Sequence, residues 1–325
     1  MPNIKAERGN AMVTIILIIL SALTISTFTL AYICYRMAFL SNRRENPAEE
    51  FPTPQGEIYD PFRARMVNLM KETRSIPHKA MEITSFDGLR LRGKYYEYKK
   101  GAPVELMFHG YRGSSERDLC GGVQRCFRLG RNVLLVDQRG SGESEGKVIT
   151  FGIKESRDVL SWIECIQKEI SPNAQIVLTG ISMGAATVLT AAGRELPENV
   201  VCILADCSYS SAKEIIKKVI ADRGLPPKLL YPFMKLGARV YGRFRINETS
   251  PLDAMKRCKV PVILIHGEDD AYVPCEMSRR IFDACSSAKV LFTVPGADHG
   301  LSYLVDTEGY FRTLEAFCKA NKIGC

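Results

Sequence analysis

Histidine is scarce in this chain, with four residues among 325, and tryptophan occurs once. The eleven cysteines are an odd number, and they lack the paired short spacings of a zinc site or of a dense disulfide framework. The sequence contains no internal repeat, and the basic residues behind its net charge of +8 are spread out, without a recognisable nucleic-acid-binding motif. These absences exclude a repeat architecture and a cysteine-based metal module, and we expect no nucleic-acid partner.

The cysteines are better explained as buried apolar residues. Cys202, for example, lies in the apolar run at residues 200–204, where a free thiol behaves as a small hydrophobic side chain. This usage favours a reducing compartment, although a domain facing outward could still form disulfides whose pairing the sequence does not assign.

Charged residues are also missing from residues 12–35, a stretch dense in Ile, Leu, Val and Thr. About 20 apolar residues are enough to cross the hydrocarbon core of a bilayer, so this stretch predicts an N-terminal transmembrane helix. A secretory signal peptide is the alternative, but its apolar part usually runs for only about 7–15 residues before a small-residue cleavage site. We therefore expect an uncleaved anchor and a single-pass protein of the cell membrane.

The charges that flank this anchor do not decide its orientation. Lys5 and Arg8 precede the span, whereas Arg36, Arg43 and Arg44 follow it, which is close to balanced under the positive-inside rule. The side of the membrane that carries the rest of the chain is left undecided, with a slight preference for the extracytoplasmic side.

After the anchor, the sequence predicts a connecting segment and one large domain. Residues 41–56 are rich in charge, proline and glycine, which is typical of a linker, and apolar residues at helical spacing over residues 62–73 predict a short amphipathic helix. We therefore divide the chain into a tail and anchor at 1–40, a linker with a short helix at 41–74, and the main domain at 75–325.

In the main domain, short apolar runs alternate with segments of helical periodicity. The first two runs are joined by Asp87 and Gly88 as a hairpin, and the later ones are continuously apolar, as expected of strands covered on both faces. The alternation predicts an α/β fold with a mostly parallel eight-stranded sheet and helices on both faces. Strands are predicted at 80–85, 89–98, 104–108, 132–136, 175–179, 200–205, 260–265 and 289–294, and helices at 115–129, 152–170, 183–195, 274–284 and 302–319.

One segment interrupts this alternation. Residues 208–248 are helical in character and contain no strand, and Pro226, Pro227 and Pro232 predict a division into two or three helices. In sheets of this kind the ligand crevice lies at the carboxyl ends of the strands. We expect residues 208–248 to form a helical cap over that crevice.

The sequence GISMG at residues 180–184 directly follows a predicted strand and begins a helix rich in small residues. A strand, a sharp turn and a helix around this pattern are typical of a nucleophile elbow, in which strained backbone angles expose a serine hydroxyl. Gly180 and Gly184 are needed because a side chain at either position would collide with the adjoining strand and helix. The pattern predicts Ser182 as the nucleophile.

A serine hydroxyl needs a histidine base within hydrogen-bond reach, and that histidine needs an acid to orient it. His78 precedes the first strand, while His109 and His266 each end a strand in a His-Gly pair that shapes the strand exit. His299 follows the last predicted strand, at the edge of the sheet that carries Ser182. We therefore predict His299 as the base.

The acid is expected after the strand at 260–265, where Asp269 and Asp270 are adjacent. We choose Asp270, because the order nucleophile, acid, base along the chain is the one that this kind of sheet uses. Asp206, which ends the preceding strand, is the alternative acid, and it is otherwise expected to hold the loop that leads into residues 208–248.

From about Glu82 to its end, the chain resembles the α/β-hydrolase superfamily, in particular its serine-aminopeptidase-like and Bem46-like bacterial branches. Besides the elbow, the resemblance rests on FDG at 86–88, HGY at 109–111, DQRGSGES at 137–144, DAYVP at 270–274 and DH at 298–299, in matching order. It implies the α/β-hydrolase fold and an oxyanion hole formed by the backbone N–H groups of Tyr111 and Met183. The pocket and elbow residues that it implies are His109, Gly110, Gly180 and Gly184.

These features predict a membrane-anchored serine hydrolase that cleaves a carboxylic ester, thioester or amide of a small-molecule or lipid substrate through an acyl-enzyme. We expect no metal and no organic cofactor, and the sequence leaves the oligomeric state open. A serine peptidase of aminopeptidase type is the rival enzyme, although no feature that fixes a peptide terminus stands out. A non-catalytic, membrane-tethered binding protein on the same fold is the rival from another class.

Overall fold

The computed structural model describes residues 4–41 and 50–324. Arg43, Arg44 and the early part of the predicted linker lie outside the described residues. The chain divides into two compact units: one contains the N-terminal helix and Lys217–Arg245, and the other contains Ser41–Ile216 and Ile246–Cys325. The predicted domain boundaries at residues 40 and 74 stay predictions.

The larger unit contains one eight-stranded sheet, whose strands are numbered β1 to β8 along the chain and lie in the order β1-β2-β4-β3-β5-β6-β7-β8. β2 pairs antiparallel with β1 and with β4, and the other neighbours are parallel. The strands are Lys79–Thr84, Arg90–Tyr96, Val104–Phe108, Asn132–Val136, Ile176–Ile181, Val200–Asp206, Val262–Gly267 and Lys289–Val294. The predicted mostly parallel, eight-stranded sheet is confirmed.

The helices follow the predicted alternation with two clear differences. The predicted helix at 302–319 is two helices, because Asp306 lies between them and its side chain caps the second by accepting from the Gly309 N–H. The predicted helix at 115–129 is wrong as a single element, because Gly121, with φ of 82°, separates two short helices. In chain order the helices are α1 Ile4–Ala38, a 3-10 turn at Glu57–Phe62, α2 Arg63–Ser75, α3 Ser115–Asp118, α4 Gly122–Arg128, α5 Glu155–Glu169, α6 Met183–Ala191, α7 Ala212–Asp222, α8 Pro227–Val240, α9 Pro251–Met255, α10 Cys275–Ala284, α11 Ser302–Val305 and α12 Thr307–Ala320.

Helices cover both faces of the sheet, as expected of strands that are buried on both sides. Along β3 every residue is buried, and alternate side chains enter different cores. Leu106 packs in the core that contains the single tryptophan, Trp162 of α5, whereas Met107 packs with Val123 of α4. Because β3 to β8 run parallel, their carboxyl ends meet at one edge of the sheet. The loops that follow the strands can form a site at this edge.

The segment before the hairpin packs into the larger unit. Met66 and Met70 of α2 are buried together with Leu301 and Leu304, which follow the last strand. Because α2 lies against this part of the chain, it supports the loop that carries His299.

In the smaller unit, the last turns of α1 pack against α8. Ala31 and Cys34 are buried, and the approach is close at Gly237, where an added Cβ would lie 2.4 Å from the carbonyl oxygen of Ala31. The Tyr241 hydroxyl donates to the carbonyl oxygen of Phe28 at 3.2 Å. Residues 10–29 are exposed on every side. Among the described residues, one helix, Asn10–Ala38, is long and apolar enough to cross a membrane.

We expect Gly237→Ala to separate α8 from α1, since the new methyl group would overlap the α1 backbone. Alanine is the better helix former, by about 1 kcal/mol, so a loss of structure would come from this contact and not from helix propensity. Maleimide labelling of Cys34 in the folded chain, followed by peptide mass spectrometry, should become at least about tenfold faster. Lys235→Ala, at an exposed position of the same helix, is the control and should leave the labelling rate unchanged.

Candidate active site

Ser182 lies at a strained turn between β5 and α6. Its φ of 55° and ψ of −115° are unusual for a residue with a side chain. An added Cβ on Gly180 would lie 2.2 Å from the Gly184 backbone, and one on Gly184 would lie 2.0 Å from the carbonyl oxygen of Phe108. Both glycines are therefore required by space, as the sequence indicated, and they let the hydroxyl stand at the edge of the sheet.

Three side chains that are far apart in the sequence form a continuous hydrogen-bonded chain. His299 Nε2 lies 2.9 Å from Ser182 Oγ, and His299 Nδ1 lies 2.7 Å from Asp270 Oδ2. The other carboxylate oxygen, Asp270 Oδ1, accepts from the backbone N–H groups of Tyr272 and Val273 at 2.9 and 2.7 Å. The structure thus brings together the predicted nucleophile, base and acid.

A second histidine, His266, contacts the same carboxylate. Its Nε2 lies 2.7 Å from the carbonyl oxygen of Val273 and 3.2 Å from Asp270 Oδ2, and its Nδ1 lies 2.7 Å from Ser278 Oγ. Since a carbonyl oxygen only accepts, Nε2 carries a hydrogen. Burial alone would raise the pKa of Asp270, but the hydrogen bonds from His266 and His299 outweigh it and lower that pKa to about 2.

The sequence pattern indicates His266 only as part of a strand exit. The available signal was its position at the end of β7, four residues before Asp270. A loop that turns back on itself over that distance brings the two side chains together.

The loop that carries His299 is held from two directions. Asp298 Oδ1 accepts from the His299 N–H at 2.6 Å and from the Ala271 N–H at 3.3 Å, which joins this loop to the one that carries Asp270. The Tyr59 hydroxyl donates to the carbonyl oxygen of His299 at 3.1 Å. The sequence did not indicate Tyr59, because a tyrosine next to a predicted linker carries no pattern of its own.

Asp206, the alternative acid, contacts other groups. Its Oδ1 and Oδ2 each lie 3.3 Å from a hydroxyl oxygen, that of Ser302 and that of Tyr310 respectively. Burial raises its pKa to about 6, because these partners compensate the charged form only weakly. The structure therefore places Asp270, and not Asp206, beside the imidazole of His299.

The residues that the resemblance assigns to the oxyanion hole belong to the two segments that meet at Ser182. Met183 is the first residue of α6, and Tyr111 follows Gly110, whose added Cβ would lie 3.6 Å from Ser182 Cβ. The Gly110 N–H donates to Asp118 Oδ2 at 3.0 Å, which holds the loop after β3.

His109 begins the loop after β3 and is fully buried. Its Nε2 accepts from the Gln138 N–H at 3.0 Å, and its carbonyl oxygen accepts from Gln138 Nε2 at 2.6 Å. These bonds tie the exit of β3 to the exit of β4, so His109 shapes the backbone beside the site.

A cavity of about 390 Å³ opens onto the serine and the histidine. Its polar lining includes Ser182 and His299, together with four charged side chains, those of Arg117, Asp118, Arg125 and Asp206. The apolar lining includes Met107, Leu119, Ile181 and Leu304. This volume lies within the range of small-molecule sites, roughly 300–1,000 Å³.

One group of side chains among the described residues has its donor atoms close enough for a metal ion: Cys207, Asp270 and His299, within 4.8 Å of one another. Burial raises the pKa of the Cys207 thiol well above its ordinary value, whereas metal binding requires a thiolate. The chemistry of this group therefore fits a metal poorly.

Comparisons with known proteins agree with the fold. A family model for the alpha/beta hydrolase fold matches residues 106–240. The esterase Pf2001 of Pyrococcus furiosus superimposes with a TM-score of 0.59 at 24% identity, over 77% of this chain and 93% of that one. The chain has the α/β-hydrolase fold.

This α/β-hydrolase-fold chain is also similar in sequence to two relatives. The Schizosaccharomyces pombe protein bem46 is 26% identical over 99% of this chain and 95% of its own length. The uncharacterized Bacillus subtilis protein YqkD is 30% identical over 58% of this chain, and the match covers only 62% of YqkD. The predicted resemblance to Bem46-like proteins is confirmed.

We expect Asp206→Asn to change how stability depends on pH. A carboxyl whose pKa rises from 3.8 to about 6 on folding stabilises the fold at low pH, and that contribution is lost as the pH rises through about 6. The Tm of the variant should therefore exceed that of wild type above about pH 7, and the difference should shrink or reverse near pH 4. Parallel Tm curves from pH 4 to 8 would contradict the assignment.

Proposed function

We propose that the chain is a membrane-anchored serine hydrolase that cleaves carboxylic esters through an acyl-enzyme on Ser182. The observation that carries this proposal is the pair of contacts at His299, 2.9 Å to the serine oxygen and 2.7 Å to the aspartate oxygen. An alcohol becomes a useful nucleophile at neutral pH only where a base of this kind can take its proton.

The protonation states follow from the partners of each atom. With its low pKa, Asp270 is a carboxylate and accepts, so His299 Nδ1 carries the hydrogen and Nε2 is free to accept from the Ser182 hydroxyl. Transfer of the serine proton to Nε2 makes an imidazolium, which the adjacent carboxylate stabilises.

Acyl transfer then proceeds in two steps. Ser182 Oγ attacks the ester carbonyl carbon, and the alcohol leaves with the proton from His299 Nε2. In the second step His299 takes a proton from water, the hydroxide attacks the acyl carbon, and Ser182 leaves with that proton. The developing oxyanion is held by the backbone N–H groups of Met183 and Tyr111, and each such donor lowers the barrier by about 2.7–4 kcal/mol.

An ester is the substrate class that the site supports best. The greater part of the cavity lining is apolar, which suits an acyl chain. Pf2001, a protein of the same fold, is described as an esterase. A serine peptidase is the rival enzyme, and the aminoacyl amides in the substrate panel below test it.

We expect Ser182→Ala to lower ester hydrolysis by at least about a thousandfold, and to abolish labelling by a fluorophosphonate probe, because the nucleophile is gone. Asp270→Asn should lower kcat by about ten-thousandfold, since the amide no longer fixes the tautomer of His299. The measurement is hydrolysis of a graded panel of esters and aminoacyl amides by the full chain in detergent.

Asp269→Asn is the matched control, because this neighbouring aspartate is exposed. It should retain wild-type rates. Equal losses in the Asp269 and Asp270 variants, or wild-type hydrolysis by Ser182→Ala, would overturn the assignment of the acid or of the nucleophile.

We further propose that α1 anchors the chain in a membrane. Its exposed stretch, residues 10–29, is about 20 residues long, and about 30 Å of helix matches the hydrocarbon core of a bilayer. Tyr32 and Tyr35 follow this stretch, and the Tyr32 and Tyr241 rings lie 5.1 Å apart. Tyrosines are enriched where a membrane meets water, so this cluster suits the interface.

We expect the full chain, synthesised with membrane vesicles, to stay in the pellet after carbonate extraction. The double variant Leu17→Arg/Leu20→Arg should move to the supernatant, since each arginine at the centre of a span costs roughly 2.5–3.5 kcal/mol. Tyr98→Arg/Val305→Arg, at exposed apolar positions of the larger unit, is the control and should stay in the pellet. Release of the wild-type chain by carbonate would contradict the anchor.

The side of the membrane on which the larger unit lies is a separate proposal. The flanking charges are nearly balanced, and we retain the slight preference for the extracytoplasmic side. Protease added outside right-side-out vesicles should then degrade the larger unit, whereas full protection would place it in the cytoplasm.

A further inference from the structure

The interior of the larger unit contains a cluster of three charged side chains beneath the site. Glu105 of β3 is fully buried and contacts two guanidinium groups: Arg125 Nη2 donates to Oε1, and Arg131 Nη1 donates to Oε2 at 2.9 Å. Thr179 Oγ1 also donates to Oε1, at 2.7 Å. Burial alone would raise the pKa of Glu105, but the two arginines lower it to about 2. The three groups therefore carry one more positive than negative charge.

The two arginines differ in how their donors are used. Arg131 also donates to the carbonyl oxygen of Gly324 and to Cys318 Sγ. Arg125 is only 4% exposed, and its Nη1 has no hydrogen-bond partner within residues 4–41 and 50–324. A buried donor on a charged group that is left without a partner is costly, and such groups are rare in folded proteins.

Arg125 also lines the cavity that opens onto Ser182 and His299. Much of the lining is apolar, and two carboxylates, Asp118 and Asp206, also share this cavity. Each has its own partners: Asp118 accepts from the Gly110 N–H and from Arg117, and the oxygens of Asp206 lie beside two hydroxyl groups. The cavity therefore pairs apolar walls with a guanidinium that retains donor capacity. This combination suits a chain that ends in an anionic group.

We propose that Arg125 forms a subsite for an anionic group of the substrate, a carboxylate or a phosphate, within the same cavity as the reactive serine. This inference rests on the proposed hydrolase function and narrows its substrate class to esters that bear such a group. The anion accepts from Arg125 Nη1 and balances the excess charge of the cluster with Glu105 and Arg131. An uncharged chain end would leave that donor unpaired.

The test compares three aryl esters on the full chain in detergent: the nitrophenyl esters of octanoic acid, of suberic acid as the half-ester, and of ω-phosphono-octanoic acid. They share the reacting group and differ at the far end of the chain. The wild-type kcat/KM should be at least as high for one of the charged esters as for the octanoate, and the better of the two identifies the anion. A wild-type preference for the octanoate over both charged esters would overturn the subsite, since an apolar pocket rejects a buried charge.

Arg125→Met removes the guanidinium and keeps a long side chain. The ratio of kcat/KM for the charged ester to that for the octanoate should fall about tenfold to a hundredfold, as expected for the loss of a hydrogen bond to a charged group. Arg131→Met is the matched control, because it also deprives Glu105 of a cation. Arg131→Met removes the excess charge but keeps the Arg125 Nη1 donor, so it should lower the ratio clearly less than Arg125→Met does. An equal fall in both variants would overturn the proposal.

A second measurement covers the case in which Arg125→Met does not fold. The Tm of the full-length Ser182→Ala chain should rise more with suberate or phosphono-octanoate than with octanoate at equal concentration. An equal rise with all three would overturn the subsite. Failure of the hydrolase function itself would look different: no ester would be cleaved and no fluorophosphonate label would be taken up.

Discussion

The first turn of α6 lies directly against the end of β3, where an added Cβ on Gly184 would come within 2.0 Å of the carbonyl oxygen of Phe108. Because these two backbones touch, the turn that carries Ser182 must be short, and its φ is positive. The loop after β3 then passes within contact distance of the serine. A larger residue at Gly184 would push α6 away from the end of β3 and would displace Ser182 from the loop after β3. One packing contact therefore positions both the hydroxyl and its surroundings.

Two buried carboxylates near this turn show how the local donors determine charge. Asp270 receives backbone N–H bonds from its own loop and contacts two imidazoles, and its pKa falls to about 2. Asp206 ends the next strand but faces only two hydroxyl groups, at 3.3 Å, and its pKa rises to about 6. Burial acts on both in the same direction, so the difference comes from the number and the kind of donors. A carboxylate that stabilises an imidazolium must stay ionised, so it needs several N–H donors, as Asp270 has.

Much of the fold was predictable because its signals are local and periodic. The strands are continuous apolar runs, and the elbow is a five-residue pattern whose glycines have a steric reason. The break between α3 and α4 was missed because Gly121 acts through its backbone angle, whereas side-chain periodicity continues across it. His266 and Tyr59 were missed because each acts through one contact with a residue distant in space, and a single sequence carries no trace of such pairing.

The buried arginines also escape sequence reading, and they raise a question about stability. Removing charged groups from water is expensive, and a buried ion pair often contributes no more than well-packed apolar residues would. Here the expense is larger, because one carboxylate faces two guanidiniums, and a donor of Arg125 has no partner in the part of the chain that the structure describes. Folding alone gives no reason for this arrangement, since an apolar residue at Arg125 would remove both the excess charge and the unpaired donor. A cluster that costs stability and borders the cavity of the reactive serine is best explained by what enters that cavity.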